Sequence, residues 1–79
     1  MREIKIGKKY RHFKNKEYIV LDIVNDCEST GDDIKKVVIY QALYGDKLKW
    51  ARNYDSFNSE VDHEKYPDVE QKYRFEEID

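Results

Sequence analysis

Seven side chains in this sequence combine flat aromatic faces with groups that can hydrogen-bond an anion. Arginine presents a planar fork of donors that suits phosphate or carboxylate. Tyrosine and tryptophan offer faces on which a nucleobase can stack. These residue types together favour a nucleotide-like, anionic aromatic ligand. The seven residues are Tyr10, Arg11, His12, Tyr40, Tyr44, Trp50 and Arg52.

Five of the seven form the predicted ligand-binding site, and they are Arg11, His12, Tyr44, Trp50 and Arg52. We expect the two arginines to contact the anion, the two aromatic residues to stack and the histidine to donate a hydrogen bond. A structural role is the competing interpretation, because a Trp in a small barrel commonly fills or covers the core. Arg52 could likewise pair with a carboxylate such as Asp46. The sequence leaves both interpretations open.

Residues suited to catalysis or metal binding form no recognisable pattern. Cys27 lies between Asp26 and Glu28, whose charges disfavour the reactive thiolate. The two histidines, His12 and His63, are not spaced with Cys27 as metal ligands are. A glycine-rich phosphate loop is also missing from the sequence. We therefore predict a protein that is not an enzyme and that uses no metal and no cofactor.

Short strands must position the predicted site. Runs rich in β-branched and aromatic residues predict strands at 10–14, 17–25, 35–43 and 48–53, with one helical or 3₁₀ turn at 55–58. Residues 69–78 form either the last strand or an irregular tail. This pattern predicts a mainly β fold, a small five-stranded antiparallel barrel of SH3-like or OB-like type. We expect a single domain over 1–79, with 1–6 and 77–79 at its periphery.

Alternation along the strands predicts which side chains are buried. In the second strand Ile19, Leu21 and Ile23 form a wholly apolar face, which we expect in the core. In the third strand both faces are largely apolar. That pattern indicates either a central strand or a face covered by another subunit.

Size and composition limit the classes of protein. A chain of 9.6 kDa holds one small core, which favours homo-oligomerisation as a source of stability. One cysteine excludes an internal disulfide framework. No apolar run approaches the roughly 18 residues that cross a membrane, and the N-terminus has no signal-peptide pattern. We therefore expect a cytoplasmic protein with no membrane partner.

Charge is distributed unevenly along the chain. Residues 1–16 carry seven basic side chains against one acidic, whereas residues 55–79 carry nine acidic against three basic. The basic end could attract an anion, or the two ends could lie close together and offset each other. The sequence pI of 5.7 makes duplex DNA a poor partner.

Five short blocks are spread along most of the chain. They are Gly7-x-x-Tyr10-Arg11-His12-Phe13-Lys14, Tyr18-x-Val20, Tyr40-x-Ala42-Leu43-Tyr44-Gly45-Asp46, Trp50-x-Arg52 and Phe57 four residues before Val61. Together they resemble one bacterial and phage family, the domain-of-unknown-function family numbered 1653. The resemblance covers roughly residues 7–76 and implies a compact, mostly β domain with no established activity.

The sequence leaves three functions open. The first is a binding module that sequesters or senses a nucleotide-type anionic ligand, with its site shared between protomers. The second is a protein–protein adaptor that uses an aromatic groove. The third is binding of single-stranded nucleic acid, which the acidic C-terminal third disfavours.

Overall fold

A computed structural model describes residues 2–78, which contain five antiparallel strands and one short helix. Met1 and Asp79, which belong to the expected domain 1–79, lie outside the described residues. The predicted mainly β fold with five antiparallel strands and one helical turn is confirmed. The elements are β1 (Lys9–His12), β2 (Lys16–Asn25), β3 (Lys36–Ala42), β4 (Lys49–Asn53), α1 (Tyr54–Phe57) and β5 (Phe75–Ile78).

All five strands belong to one sheet, in the order β4-β3-β2-β1-β5. Within residues 2–78 the two outermost strands, β4 and β5, do not pair with each other, so the sheet is open. The predicted closed barrel is therefore not confirmed. The face that α1 packs against is here called the inner face. Because the helix covers apolar side chains on this face, the sheet does not need to close on itself to bury them.

Strand β2 contains one extra residue. Val20 lies opposite Tyr40 of β3, whereas Asp22 lies opposite the preceding β3 residue, Ile39. Leu21 between them has no direct partner, which is the arrangement of a β-bulge. A bulge reverses the alternation of side chains, so residues after it face the opposite side from the one that simple alternation assigns.

This bulge corrects the predicted core of β2. Val20 is fully buried on the inner face, whereas Leu21 is 37% exposed. Ile19 is only half-buried and lies on the outer face. Ile23, which follows the bulge, does pack against the core. The predicted burial of Leu21 is wrong because period-two alternation assumes an uninterrupted strand.

Aromatic rings form the centre of the core. Phe57 of α1 and Phe75 of β5 stack face to face, with ring centroids 4.0 Å apart and planes 2° from parallel. Tyr10 and Tyr40 meet Phe57 edge-on, at 5.5 and 5.2 Å. Each such aromatic pair contributes about 0.5–1.5 kcal/mol beyond its buried area. This cluster therefore holds the helix against the inner face and joins it to the last strand.

Asn53 directs the chain from β4 into α1. Its side-chain Oδ1 accepts hydrogen bonds from the backbone N–H groups of Asp55, at 2.9 Å, and Ser56, at 3.2 Å. These bonds satisfy donors that the start of a helix leaves free. The helix thereby begins directly after the strand and places Phe57 over the sheet.

The two ends of the chain are neighbours. Strand β1 pairs with β5, and Lys5 forms an ion pair with Glu77 at 3.7 Å. The basic and acidic ends therefore lie side by side. The expectation that residues 1–6 are peripheral is corrected at Ile4, which is buried. The hydroxyl of Tyr54 accepts a hydrogen bond from the Ile4 N–H at 3.0 Å and holds that residue against the core.

Alanine substitutions at Val20 and at Leu21, the extra residue of β2, test the bulge. We expect Val20→Ala to lower the free energy of unfolding by about 2 kcal/mol, because it removes two fully buried methyl groups. Leu21→Ala should lower the free energy of unfolding by well under about 1 kcal/mol, although it removes more atoms than Val20→Ala does, because Leu21 is partly exposed. Urea denaturation of both variants measures the difference. An equal or larger loss in Leu21→Ala contradicts the bulged register.

Candidate ligand-binding site

A cavity of about 370 Å³ opens at one end of the inner face. Its lining comes from four parts of the chain: the end of β1 with the turn that follows, β4, the 61–66 loop, and the residue before β5. The lining residues are His12, Phe13, Lys14, Arg52, Val61, Asp62, Lys65, Tyr66 and Arg74. This space is here called the basic cavity.

The basic cavity carries a strong positive charge. Lys14, Arg52, Lys65 and Arg74 line it, against a single carboxylate, that of Asp62. Oδ1 of Asp62 already accepts the backbone N–H groups of residues 64 and 65, at 3.1 and 3.3 Å. Three uncompensated charges in one concave site attract an anion, because concave low-dielectric walls strengthen the local field.

Arg52 forms the floor of the basic cavity. Its register opposite Val38 places it on the inner face, where it is half-buried. Nε–H donates to the hydroxyl of Tyr40 and Nη1–H to the hydroxyl of Ser56, each at 3.2 Å. The pairing of Arg52 with Asp46 that the sequence left open is not formed. These neutral acceptors orient the guanidinium and leave its positive charge in place.

Arg74 reaches the same cavity from the other side. Its Nε–H donates to the hydroxyl of Ser59 at 3.1 Å, and its backbone N–H donates to the Ser59 carbonyl at 2.8 Å. Between residues 2 and 78, neither Arg74 nor Arg52 forms an ion pair with a carboxylate. Each guanidinium has five N–H donors, so several remain for a ligand.

His12 supplies an uncharged donor. Its Nδ1 accepts the backbone N–H of Lys14 at 3.1 Å, so the proton of the neutral ring lies on Nε2. Burial, and after it the nearby charges of Arg52, Arg74 and Lys14, together lower the pKa of His12 from 6.5 to about 4. At neutral pH the ring is therefore a neutral hydrogen-bond donor.

Aromatic rings form the rim. The centroids of Phe13 and Tyr66 lie 4.9 Å apart, and Phe13 stacks on His12 at 4.4 Å. Nζ of Lys14 lies 5.7 Å and Nζ of Lys65 lies 5.6 Å from the Tyr66 ring centroid. The rim therefore places aromatic rings beside cations, the residue types that bind a planar group attached to an anion.

The structure brings together only part of the predicted site. His12 and Arg52 both line the basic cavity. Trp50 precedes Arg52 by two residues on the same face, and it is 49% exposed. Tyr44 is exposed beyond it, where its hydroxyl lies 2.8 Å from the hydroxyl of Tyr18. The two predicted stacking residues therefore lie outside the basic cavity.

Arg11 lies on the other face of the sheet. Its neighbours in β1, Tyr10 and His12, face inward, so strand alternation turns Arg11 outward. There its guanidinium meets the carboxylate of Glu17 at 3.5 Å. The structure therefore does not bring Arg11 to the other predicted site residues.

Sequence reasoning missed the residues that the 61–74 segment contributes. Only three basic side chains occur in the acidic C-terminal third, and two of them, Lys65 and Arg74, line the basic cavity. Their isolation among acidic residues is the signal that could have identified them. Tyr66 carries no such signal, since its position depends on how the loop returns to the sheet.

The described part of the chain holds neither a cluster of metal-ligand side chains nor a membrane-spanning helix. Residues 2–78 contain no group of three or more His, Cys, Asp or Glu side chains placed to hold a metal ion. In the same range, no helix is long and apolar enough to cross a membrane. Cys27 is a free, exposed thiol in the β2–β3 loop.

These features define a small open-sheet antiparallel β domain with a basic cavity on its inner face. The chain belongs to the family described as "Protein of unknown function (DUF1653)", whose sequence profile matches residues 8–77. The family resemblance seen in the sequence is thereby confirmed. Neither the curated proteins nor the solved structures yielded a match to the chain.

The pKa of His12 predicts a pH-dependent stability. The unfolded chain, with its ordinary His pKa of 6.5, takes up a proton that the folded state binds only near pH 4. The free energy of unfolding should therefore fall as the pH drops from about 6.5 to about 4. In His12→Gln the free energy of unfolding, measured by urea denaturation, should fall less over this pH interval than it does in the unmodified chain.

Proton NMR tests the pKa directly. In His63→Gln the only remaining imidazole is that of His12, so its ring signals need no further assignment. Those signals should titrate near pH 4. A midpoint at the ordinary value of 6.5 would contradict the burial of His12 among the three cations.

Proposed function

We propose that this protein binds a nucleotide-type anionic ligand without transforming it, and so sequesters or senses that ligand. One observation carries the proposal. The half-buried guanidinium groups of Arg52 and Arg74 line one cavity, and neither pairs with a carboxylate within residues 2–78. Keeping two such charges together is costly unless an anion compensates them.

Phosphate is the anion that these donors suit best. The guanidinium fork matches the oxygens of phosphate in two parallel hydrogen bonds. Lys14 and Lys65 add two cations at the rim, so the cavity can compensate more than one negative charge. The neutral Nε2–H of His12 supplies a further donor. This set supports a ligand with two or more phosphate charges.

The aromatic rim supports a nucleoside attached to that phosphate. The rings of Phe13 and Tyr66 can cover a base, whose stacking on an aromatic side chain is worth about 1–3 kcal/mol. A free inorganic anion would leave this apolar surface unused. The combination of aromatic rim and cationic floor therefore favours a nucleotide over phosphate alone.

The lining residues support binding without catalysis. A nucleophile needs a base within hydrogen-bond reach. The nine residues that line the basic cavity include no Ser, Thr or Cys. Nδ1 of His12, the one ring nitrogen able to accept a proton, is already bonded to the Lys14 N–H. These features support a module that holds its ligand.

The proposal places the protein in the cytoplasm of a bacterium or a phage-infected cell, as a homo-oligomer. The free exposed thiol of Cys27 is compatible with a reducing compartment. The outer face of the sheet supports an oligomer, because Val24 is exposed and Val37 and Ile39 are only half-buried there. A second copy could cover these side chains. Light scattering gives the mass to compare with 9.6 kDa for one chain.

A thermal-shift titration with nucleoside diphosphates and triphosphates tests the function. Ligand at a hundred times its Kd should stabilise the fold by about 2.7 kcal/mol and raise the Tm by several degrees. We expect Arg52→Gln and Arg74→Gln each to weaken binding about tenfold or more, because each removes a charge-assisted contact.

Arg11→Gln is the matched control. It removes the same charge from the outer face, so it should bind as the unmodified chain does. Equal weakening in all three variants would indicate attraction by total charge and contradict the basic cavity as the site. An unchanged Tm with every nucleotide would contradict the proposal and favour the alternative function, a protein–protein adaptor.

A further inference from the structure

The inner face extends past the basic cavity along β4 to Trp50. Trp50 lies directly opposite Tyr40 in the sheet register. Residues opposed in this way project from the same face of an antiparallel sheet. Tyr40 is buried in the core, yet Trp50 keeps 49% of its surface exposed. A large flat ring is therefore available to solvent on the face that holds the basic cavity.

Two other exposed side chains lie near Trp50 in the chain. Leu48, two residues earlier, is 56% exposed, and Tyr44 in the preceding turn is 40% exposed. Nζ of Lys16 lies 4.9 Å from the Tyr44 ring centroid. An exposed aromatic ring of this kind is a surface on which a nucleobase can stack.

Arg52 connects the two regions. It lines the basic cavity, and it follows Trp50 by two residues on the same face, about 7 Å along the strand. A phosphate held by Arg52 therefore has two aromatic regions within reach. Phe13 and Tyr66 line the basic cavity together with Arg52, whereas Trp50 lies outside that lining.

A single base cannot use both surfaces, because Phe13 and Tyr66 line the basic cavity and Trp50 lies outside it. A ligand that fills both carries two planar groups joined through phosphate. That arrangement is the chemistry of a dinucleotide.

From this arrangement we infer that the ligand is a dinucleotide whose two nucleosides are joined through phosphates. This inference rests on the proposed function. The phosphates bind Arg52 and Arg74, one base stacks at the Phe13–Tyr66 rim, and the second base stacks on Trp50.

Trp50 provides its own probe, because it is the only tryptophan in the chain. The experiment compares ADP with two adenosines joined 5′ to 5′ by two phosphates, using Trp fluorescence and calorimetry on the full chain. The corresponding guanine pair is run alongside. The dinucleotide should quench Trp50 and bind about tenfold more tightly than ADP, which one added base stack supplies.

Charge cannot produce this preference. The dinucleotide carries fewer negative charges than ADP, so attraction to the basic cavity alone would favour ADP. In Trp50→Ala the ratio of the two affinities should fall to about one. Leu21→Ala is the matched control, since it removes an exposed apolar side chain from β2, outside the proposed site, and it should keep the preference.

The outcomes separate the inference from the proposed function. If ADP binds and the dinucleotide binds no more tightly, or leaves Trp50 fluorescence unchanged, the inference is overturned and the proposed function stands. If neither the mononucleotides nor the dinucleotides bind, both fail. If affinity keeps rising with oligonucleotide length beyond two nucleotides, the ligand is a single strand, and the inference is again overturned.

Discussion

The stacking of Phe57 on Phe75 is the interaction on which the rest of this structure depends. Because this stacking joins α1 to β5, residues 58–74 form a loop whose two ends are both held at the core. Two backbone hydrogen bonds of 2.8 Å connect the ends of this loop, from the Arg74 N–H to the Ser59 carbonyl and from the Val61 N–H to the Lys72 carbonyl. The loop places Lys65, Tyr66 and Arg74 in the cavity that Arg52 also lines. The packing of two phenylalanines thus assembles a site to which neither contributes a polar atom.

The partners of the arginines explain how positive charge accumulates there. Arg52 and Arg74 donate to hydroxyl groups of Tyr40, Ser56 and Ser59. A hydroxyl satisfies a donor and fixes its direction, yet it does not neutralise the charge as a carboxylate would. The chain is acidic overall and has many carboxylates elsewhere. Of the carboxylates within residues 2–78, only that of Asp62 lines the cavity. The fold therefore lacks the stability that ion pairs to the arginines would contribute, a cost that is common at binding sites.

Most of the secondary structure could be predicted from the sequence, whereas the faces and the site could not. The first four strands were predicted within about two residues of their observed ends, because β-branched runs bounded by turn residues are local signals. For residues 69–78 the sequence left a strand or an irregular tail open. The strand begins only at Phe75, because residues 72–74 bond to the 59–61 segment and to Glu76. The buried face of β2 was misassigned because one extra residue, Leu21, reverses the alternation, and no local pattern marks that residue.

The sequence by itself determined the strand pattern, the family membership and the presence of arginines and aromatic rings suited to an anionic ligand. Tertiary structure alone decided which of them meet. His12 and Arg52 come together because both face inward on strands of one sheet. Arg11 faces outward because it is adjacent to His12 in β1, where successive side chains alternate between faces. Arg74, which is distant from both in the sequence, reaches the same cavity because it directly precedes β5 and β5 pairs with β1. The physical reason is that strand propensity acts over a few residues. A cavity between distant segments depends instead on sheet register and on the packing of the core.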